Sequence, residues 1–128
     1  MNYLWDTNIA IYYLQNQFPS NAEKFIDSIA LETLPSISVI TEIELLSWKS
    51  ASKKDTHLIK QFINDCNVFE LDQETKILCA DIRKKHGLKL PDAVIAATSI
   101  TNNLTLVTRN TKDFQGIQNL QLINPFEM

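Results

Sequence analysis

Tyr3-Leu4-Trp5-Asp6-Thr7-Asn8-Ile9-Ala10 runs apolar, stops at an acid, passes two small polar residues and turns apolar again. It reads as a buried strand over 2–6 that delivers a carboxylate to its C-terminal end. The chain then turns into a helix over 8–16. In open α/β sheets, chemistry collects outside the carboxyl ends of the strands. The question is therefore which other acids reach the edge where Asp6 stands.

The same pattern recurs along the chain. A helix is predicted over 20–31, with Ser20 and Glu23 as a capping box and Ala22, Phe25, Ile26, Ile29 and Ala30 on one face. Ser36-Ile37-Ser38-Val39-Ile40 alternates and is β-branched, which predicts a short strand. Thr41 and Glu44 read as the capping box of a helix reaching to about Ala51. Ser52 to Asp55 reads as a polar turn before a helix over 55–65. Residues 67–71 predict a third strand, and Asp72 caps a helix that Gly87 ends as a C′ glycine. Pro91 suits the first position of the next helix, whose Ala93, Ala96 and Ala97 permit close approach to a sheet. Leu104 to Thr108 is a strand, Arg109 to Phe114 a loop, and Leu120 to Ile123 a final strand. Strands alternating with helices predict a three-layer α/β/α fold around a central, mainly parallel sheet.

Composition narrows the chemistry. At 128 residues, the chain is expected to form a single domain over 1–128. Apolar residues make up 45% and charged residues 21%, as in an ordinary globule. A net charge of −3 and a pI near 5.3 argue against a basic, groove-filling nucleic-acid binder. They do not exclude a nuclease, because a carboxylate metal site adds acids whose charge the metal cancels. With only Gly87 and Gly116, neither a P-loop nor a dinucleotide fingerprint can be built. His57 and His86 are far apart and Cys66 and Cys79 lack a second pair, so a zinc site is not expected. Any metal would be held by oxygen, which points to Mg2+ or Mn2+. No leader-like opening and no apolar run of spanning length is present, so no membrane association and a cytoplasmic location are expected.

The acids that follow strands are Asp6, Glu42, Asp92 and Asp113. Each has a plain structural alternative: Asp6 as an N-cap, Glu42 and Asp92 as first-turn acids answering a helix dipole, Asp113 as a solvated loop acid. Glu44 already has a capping role in this reading and Glu42 does not, so Glu42 is the choice on its helix. Thr7 and Asn8 could support Asp6, and Asn110 is an alternative or additional oxygen donor beside Asp113. Clustered carboxylates repel one another, and a divalent ion stabilises such a set. Two ions ~4 Å apart can activate water and stabilise the leaving oxygen of an in-line displacement at phosphorus. Arg109 and Lys112 bracket the last acid and could contact phosphate.

Four segments in order resemble the PIN-domain ribonucleases, specifically the VapC-type toxins of bacterial toxin–antitoxin pairs. They are Leu4-Trp5-Asp6-Thr7-Asn8, Ser38-Val39-Ile40-Thr41-Glu42-Ile43-Glu44, Leu90-Pro91-Asp92-Ala93 through Thr98, and Leu106-Val107-Thr108-Arg109-Asn110-Thr111-Lys112-Asp113-Phe114. The resemblance implies an Mg2+- or Mn2+-dependent endoribonuclease whose products carry a 5′-phosphate and a 3′-hydroxyl. It places metal-binding acids at Asp6, Glu42, Asp92 and Asp113 and supporting groups at Asn8, Thr108 and Asn110. It also implies an RNA substrate, a homodimer and a small cognate antitoxin covering the active site. Two other readings are a non-catalytic binding module of the same fold and a phosphoryl-transfer α/β domain. The second needs a phosphoacceptor aspartate on a later strand followed by a lysine-bearing strand, which cannot be traced.

Overall fold

A computed structural model describes residues 2–49 and 51–128. Strand β1 (Tyr3–Trp5) leads into helix α1 (Thr7–Leu14), followed by α2 (Ser20–Glu32), β2 (Ser36–Ser38), α3 (Val39–Leu46) and α4 (Lys53–Asp65). The chain continues through β3 (Asn67–Phe69), α5 (Gln73–His86), α6 (Leu90–Thr101), β4 (Thr105–Val107), the one-turn α7 (Thr111–Phe114) and β5 (Leu122–Ile123). A 3-10 turn over Pro125–Glu127 follows. All strand pairs are parallel: β1 and β5 flank β4, and β2 pairs with β3. The two pieces meet where β1 lies against β2.

Strand alternation creates the layers. Leu4 and Leu106 point to one side, into a core built with Ala93, Ile95, Ala96 and Ala97 of α6 and Cys79 and Ile82 of α5. Trp5 and Val107, their immediate neighbours, point to the other side, against Ile9, Ile26, Ile59 and Phe62 of α1, α2 and α4. Successive strand residues face opposite ways, so β1 and β4 feed both cores. One step beyond the Trp5–Val107 pair, Asp6 and Thr108 fall on the α6 side at the carboxyl edge. The small residues of α6 let that helix sit directly on the sheet, with Ala93, Ala96 and Ala97 all at 0% exposure.

Several boundaries differ from the sequence reading. Val39 and Ile40 belong to the first turn of α3, because Ser38 caps it with its hydroxyl, accepting from Thr41 N at 3.3 Å. β-branching suggested strand there, but the cap and the tertiary setting decide otherwise. The expected Thr41–Glu44 capping box is therefore absent. Ser20 is the first helical residue of α2 and not its cap; Pro19 takes the cap position without a side-chain bond. A capping box does open α4, where Ser52 and Asp55 exchange bonds of 3.1 Å, so that helix starts earlier than expected. Leu90 precedes Pro91 inside α6, and Asp113 lies on α7 where a loop was expected. Gly87 ends α5 in the left-handed region at φ +65°, as its sequence position implied. Among the described residues, no helix is long and apolar enough to cross a membrane.

Candidate active site

Asp6 anchors the site. It is the N-cap of α1, and its Oδ1 accepts from Thr7 N at 2.8 Å. Its Oδ2 accepts from the Thr108 hydroxyl, also at 2.8 Å, across 102 residues of chain. The N-cap alternative and the site reading thus hold together, since one carboxylate oxygen caps the helix and the other binds β4's edge. The carboxylate is 7% exposed. Burial raises its pKa above the ordinary 3.8; the Thr108 and Thr7 bonds pull it down, and the charges of Asp92 and Glu44 push it further up.

Thr108 is fully buried and accepts from Asn110 N at 3.0 Å while donating to Asp6. It thus ties the Asn110 turn to Asp6. Thr108→Val is expected to reduce stability at neutral pH by about 1–2 kcal/mol, because an ionised, buried Asp6 loses a hydrogen bond it cannot replace. Chemical denaturation at pH 7 and at pH 4 checks this. The loss should shrink at the acidic pH; an equal loss at both would show that the hydroxyl serves packing and not the charge.

Asp92 stands in the first turn of α6, half-buried, with its pKa also raised. Burial is the largest cause, followed by the charges of Asp113 and Glu44; Lys89 opposes them. Asp113 accepts from Asn110 Nδ2 at 2.6 Å on the exposed side of α7. Asn110 therefore orients Asp113 and is not simply its substitute. Asn8 is exposed and lines, with Asp6, Tyr12, Arg109 and Asn110, a cleft of about 250 Å³. Lys112 is exposed on α7 and is not among the residues lining that cleft.

Of the two acids on α3, Glu44 is the one bonded to this edge. Its Oε1 accepts from the Thr7 hydroxyl at 2.7 Å, and its charge reaches both Asp6 and Asp92. Thr7 Oγ1 also lies 2.9 Å from Thr41 Oγ1, which is buried at 0% exposure. That hydroxyl pair pins the start of α1 to α3 and brings the carboxyl ends of β1 and β2 together. Glu42 sits two residues earlier, about 200° around the helix from Glu44. It shares none of these bonds and does not contribute to the fields at Asp6 and Asp92. The sequence signal that finds Glu44 is helix phase counted from a Ser38 cap: Thr41 faces inward, and Glu44, three residues on, shares that face.

Four carboxylates thus share one edge, and Lys89 is a cation whose charge reaches one of them, Asp92. Among the described residues, no three of these side chains converge closely enough to chelate an ion as they lie. Their chemistry still fits a hard divalent cation. The donors are all carboxylate oxygens, and two of them, Asp6 and Asp92, resist ionising because of burial and the charges of neighbouring acids, Asp92 and Glu44 for Asp6 and Asp113 and Glu44 for Asp92. An ion would relieve that repulsion while drawing the acids inward.

Comparison with known proteins agrees with this architecture. The PIN domain family model matches residues 3–119. Ribonuclease VapC2 of Rickettsia felis is 30% identical over 132 residues, covering 97% of this chain and 98% of that protein. Ribonuclease VapC1 of Haemophilus influenzae (strain R2866) is also 30% identical, with 94% and 96% covered. Among solved structures, a toxin–antitoxin complex from Klebsiella pneumoniae contains a similar chain, with TM-score 0.79, 30% identity, and 99% and 100% coverage. With a family model spanning nearly its whole described length and full-length relatives on the same fold, the chain belongs to the PIN-domain family, in its VapC-type branch.

Proposed function

We propose that the protein is a divalent-metal-dependent endoribonuclease and the toxin of a toxin–antitoxin pair. The observation that carries this is the Asp6 carboxylate. It is buried, bonded by Thr108 and Thr7, and set among the like charges of Asp92 and Glu44 at the carboxyl edge of a parallel sheet. Relatives named as ribonucleases, and similar chains solved in toxin–antitoxin complexes, support the activity and the partner.

In this reading Asp6, Glu44 and Asp92 hold the ion, and Asp113 assists. Glu44 takes the place that the sequence reading gave to Glu42. Mg2+ or Mn2+ held by these carboxylates would supply neutralising charge and would ease the loss of a proton from the water that hydrolyses the phosphodiester. The protein's own groups fix the geometry: Thr108 and Thr7 N hold both oxygens of Asp6, the Thr7 hydroxyl holds Glu44, and Asn110 holds Asp113. Asn8 borders the cleft beside Asp6 and can hydrogen-bond a water or a phosphate oxygen. The same proposal includes RNA as substrate, a cognate antitoxin and a homodimer.

Purified, antitoxin-free protein incubated with total bacterial RNA and Mg2+ or Mn2+ is expected to give discrete cuts with 3′-hydroxyl ends. EDTA and Asp6→Asn should each remove them. Cutting that persists in EDTA would sink the metal role. Absence of any cut, with no heat of Mg2+ binding by calorimetry, would instead favour a non-catalytic module.

A further inference from the structure

Arg109 stands at the mouth of the cleft, yet it pairs with none of the acids around it. Lys85–Asp81 is the one ion pair among the described residues. The Arg109 guanidinium instead lies 4.4 Å from the centre of the Phe126 ring and 5.9 Å from that of Tyr12. Its Nη1 donates to the Tyr12 hydroxyl at 3.2 Å. Tyr12 and Phe126 are themselves packed edge to face at 5.2 Å, and Phe18 closes the cluster against both. Asn124 fastens the other side. Its Nδ2 donates to the Arg109 carbonyl at 3.2 Å, while its Oδ1 accepts from Phe126 N at 2.9 Å.

Two segments distant in sequence, α1 and the C-terminal 3-10 turn, therefore converge on one arginine side chain. Guanidinium has five donors, and one is used by Tyr12. A guanidinium held over the Phe126 ring and bonded to the Tyr12 hydroxyl through one nitrogen has its remaining N–H groups left to donate elsewhere. They suit a two-pronged bond to a phosphate. Arg109 and Tyr12 line the same 250 Å³ cleft as Asp6 and Asn8, so a phosphate bound there lies beside the carboxylates and not on a remote surface.

Building on the nuclease reading, we propose that Tyr12, Phe126 and Asn124 are positioning residues that hold Arg109 as a fixed clamp for an RNA phosphate next to the cleavage site. The C-terminal turn is then part of the substrate site, through Phe126. Lys112, exposed on α7, has no such framework and acts at most as a screened charge.

The test is a double-substitution cycle on the binding of a short, mixed-sequence, labelled single-stranded RNA. It is done in Asp6→Asn protein so that nothing is cut. Arg109→Ala should weaken binding and reduce the slope of log affinity against log salt by about 0.7, one phosphate contact. Phe126→Leu, which keeps an apolar side chain in the turn, should weaken binding roughly three- to tenfold when Arg109 is present. It should have no effect when position 109 is alanine. A Phe126→Leu effect of the same size in both backgrounds would assign Phe126 to the fold alone and overturn the clamp. An unchanged salt slope in Arg109→Ala, or no RNA binding by the parent, would overturn it too. Cleavage of total RNA by unsubstituted protein is scored separately, so a failed nuclease reading and a failed clamp are told apart. With a cleaving protein, Phe126→Leu should raise KM and leave kcat within about twofold.

Discussion

Glu44→Gln is expected to lower RNA cleavage by at least about a hundredfold, while Glu42→Gln leaves it within about twofold. The two residues are neighbours on one helix and identical in chemistry, so the pair isolates position from composition. Glu44 accepts from the Thr7 hydroxyl, one residue from Asp6, and its charge opposes ionisation of both Asp6 and Asp92. Glutamine keeps an oxygen for the Thr7 bond, so the fold at the α1–α3 contact should survive. What disappears is the negative charge that an ion would neutralise. Cleavage rates at saturating Mg2+, with circular dichroism to confirm folding, decide the matter. If Glu42→Gln is the silent enzyme and Glu44→Gln the active one, the roles of the two glutamates are reversed.

The misplaced start of α3 in the sequence reading has a definite physical origin. A serine or threonine followed three residues later by an acid is a sound capping signal, and Thr41 with Glu44 fits it. Ser38 lies one turn earlier and also fits a cap. Choosing between them needs to know whether Val39 and Ile40 are strand or helix, and β-branched residues favour the wrong answer. Once the helix start moves, Thr41 turns from a cap into a buried contact for Thr7, and Glu44 turns from a capping group into the acceptor of the Thr7 hydroxyl beside Asp6. The layered fold was easier to read, because it rests on repetition. Strands followed at once by Asp6 and Thr108, a glycine at the end of α5 and a small-residue helix at Ala93–Ala97 each carry a local signal. Asp6 is legible because it stands directly after a strand. The Arg109 clamp was not, because Tyr12 and Phe126 are separated by most of the chain and nothing local in either segment announces the other.

Asp6→Asn is expected to abolish cleavage and, in EDTA at neutral pH, to raise the melting temperature by a few degrees. The folded-state pKa of Asp6 is raised above its ordinary value, chiefly by burial. The folded protein therefore holds that proton more tightly than the unfolded chain does. The corresponding stability is fully present below the unfolded pKa and is lost as pH rises through the folded one. Asp92 shifts in the same direction and adds to the trend. Metal-free protein should accordingly lose stability between the ordinary carboxylate range and neutrality, and the Asn variant should lose less. Asparagine can still accept from Thr7 N, and its amide can donate to the Thr108 hydroxyl, so both contacts survive, the second with its direction reversed, while the charge is removed. Mg2+ should reverse the ranking, since an ion that binds only the folded wild type stabilises it in proportion to the logarithm of its concentration. Melting curves in EDTA and in Mg2+, from pH 4 to pH 8, test both halves. If Asp6→Asn melts lower than wild type in EDTA at neutral pH, the carboxylate is chiefly a structural cap. If Mg2+ lifts both proteins equally, the ion binds elsewhere. The predicted crossover needs a side chain that burdens the empty fold and is relieved only by its ion, which is what a buried carboxylate among other acids supplies.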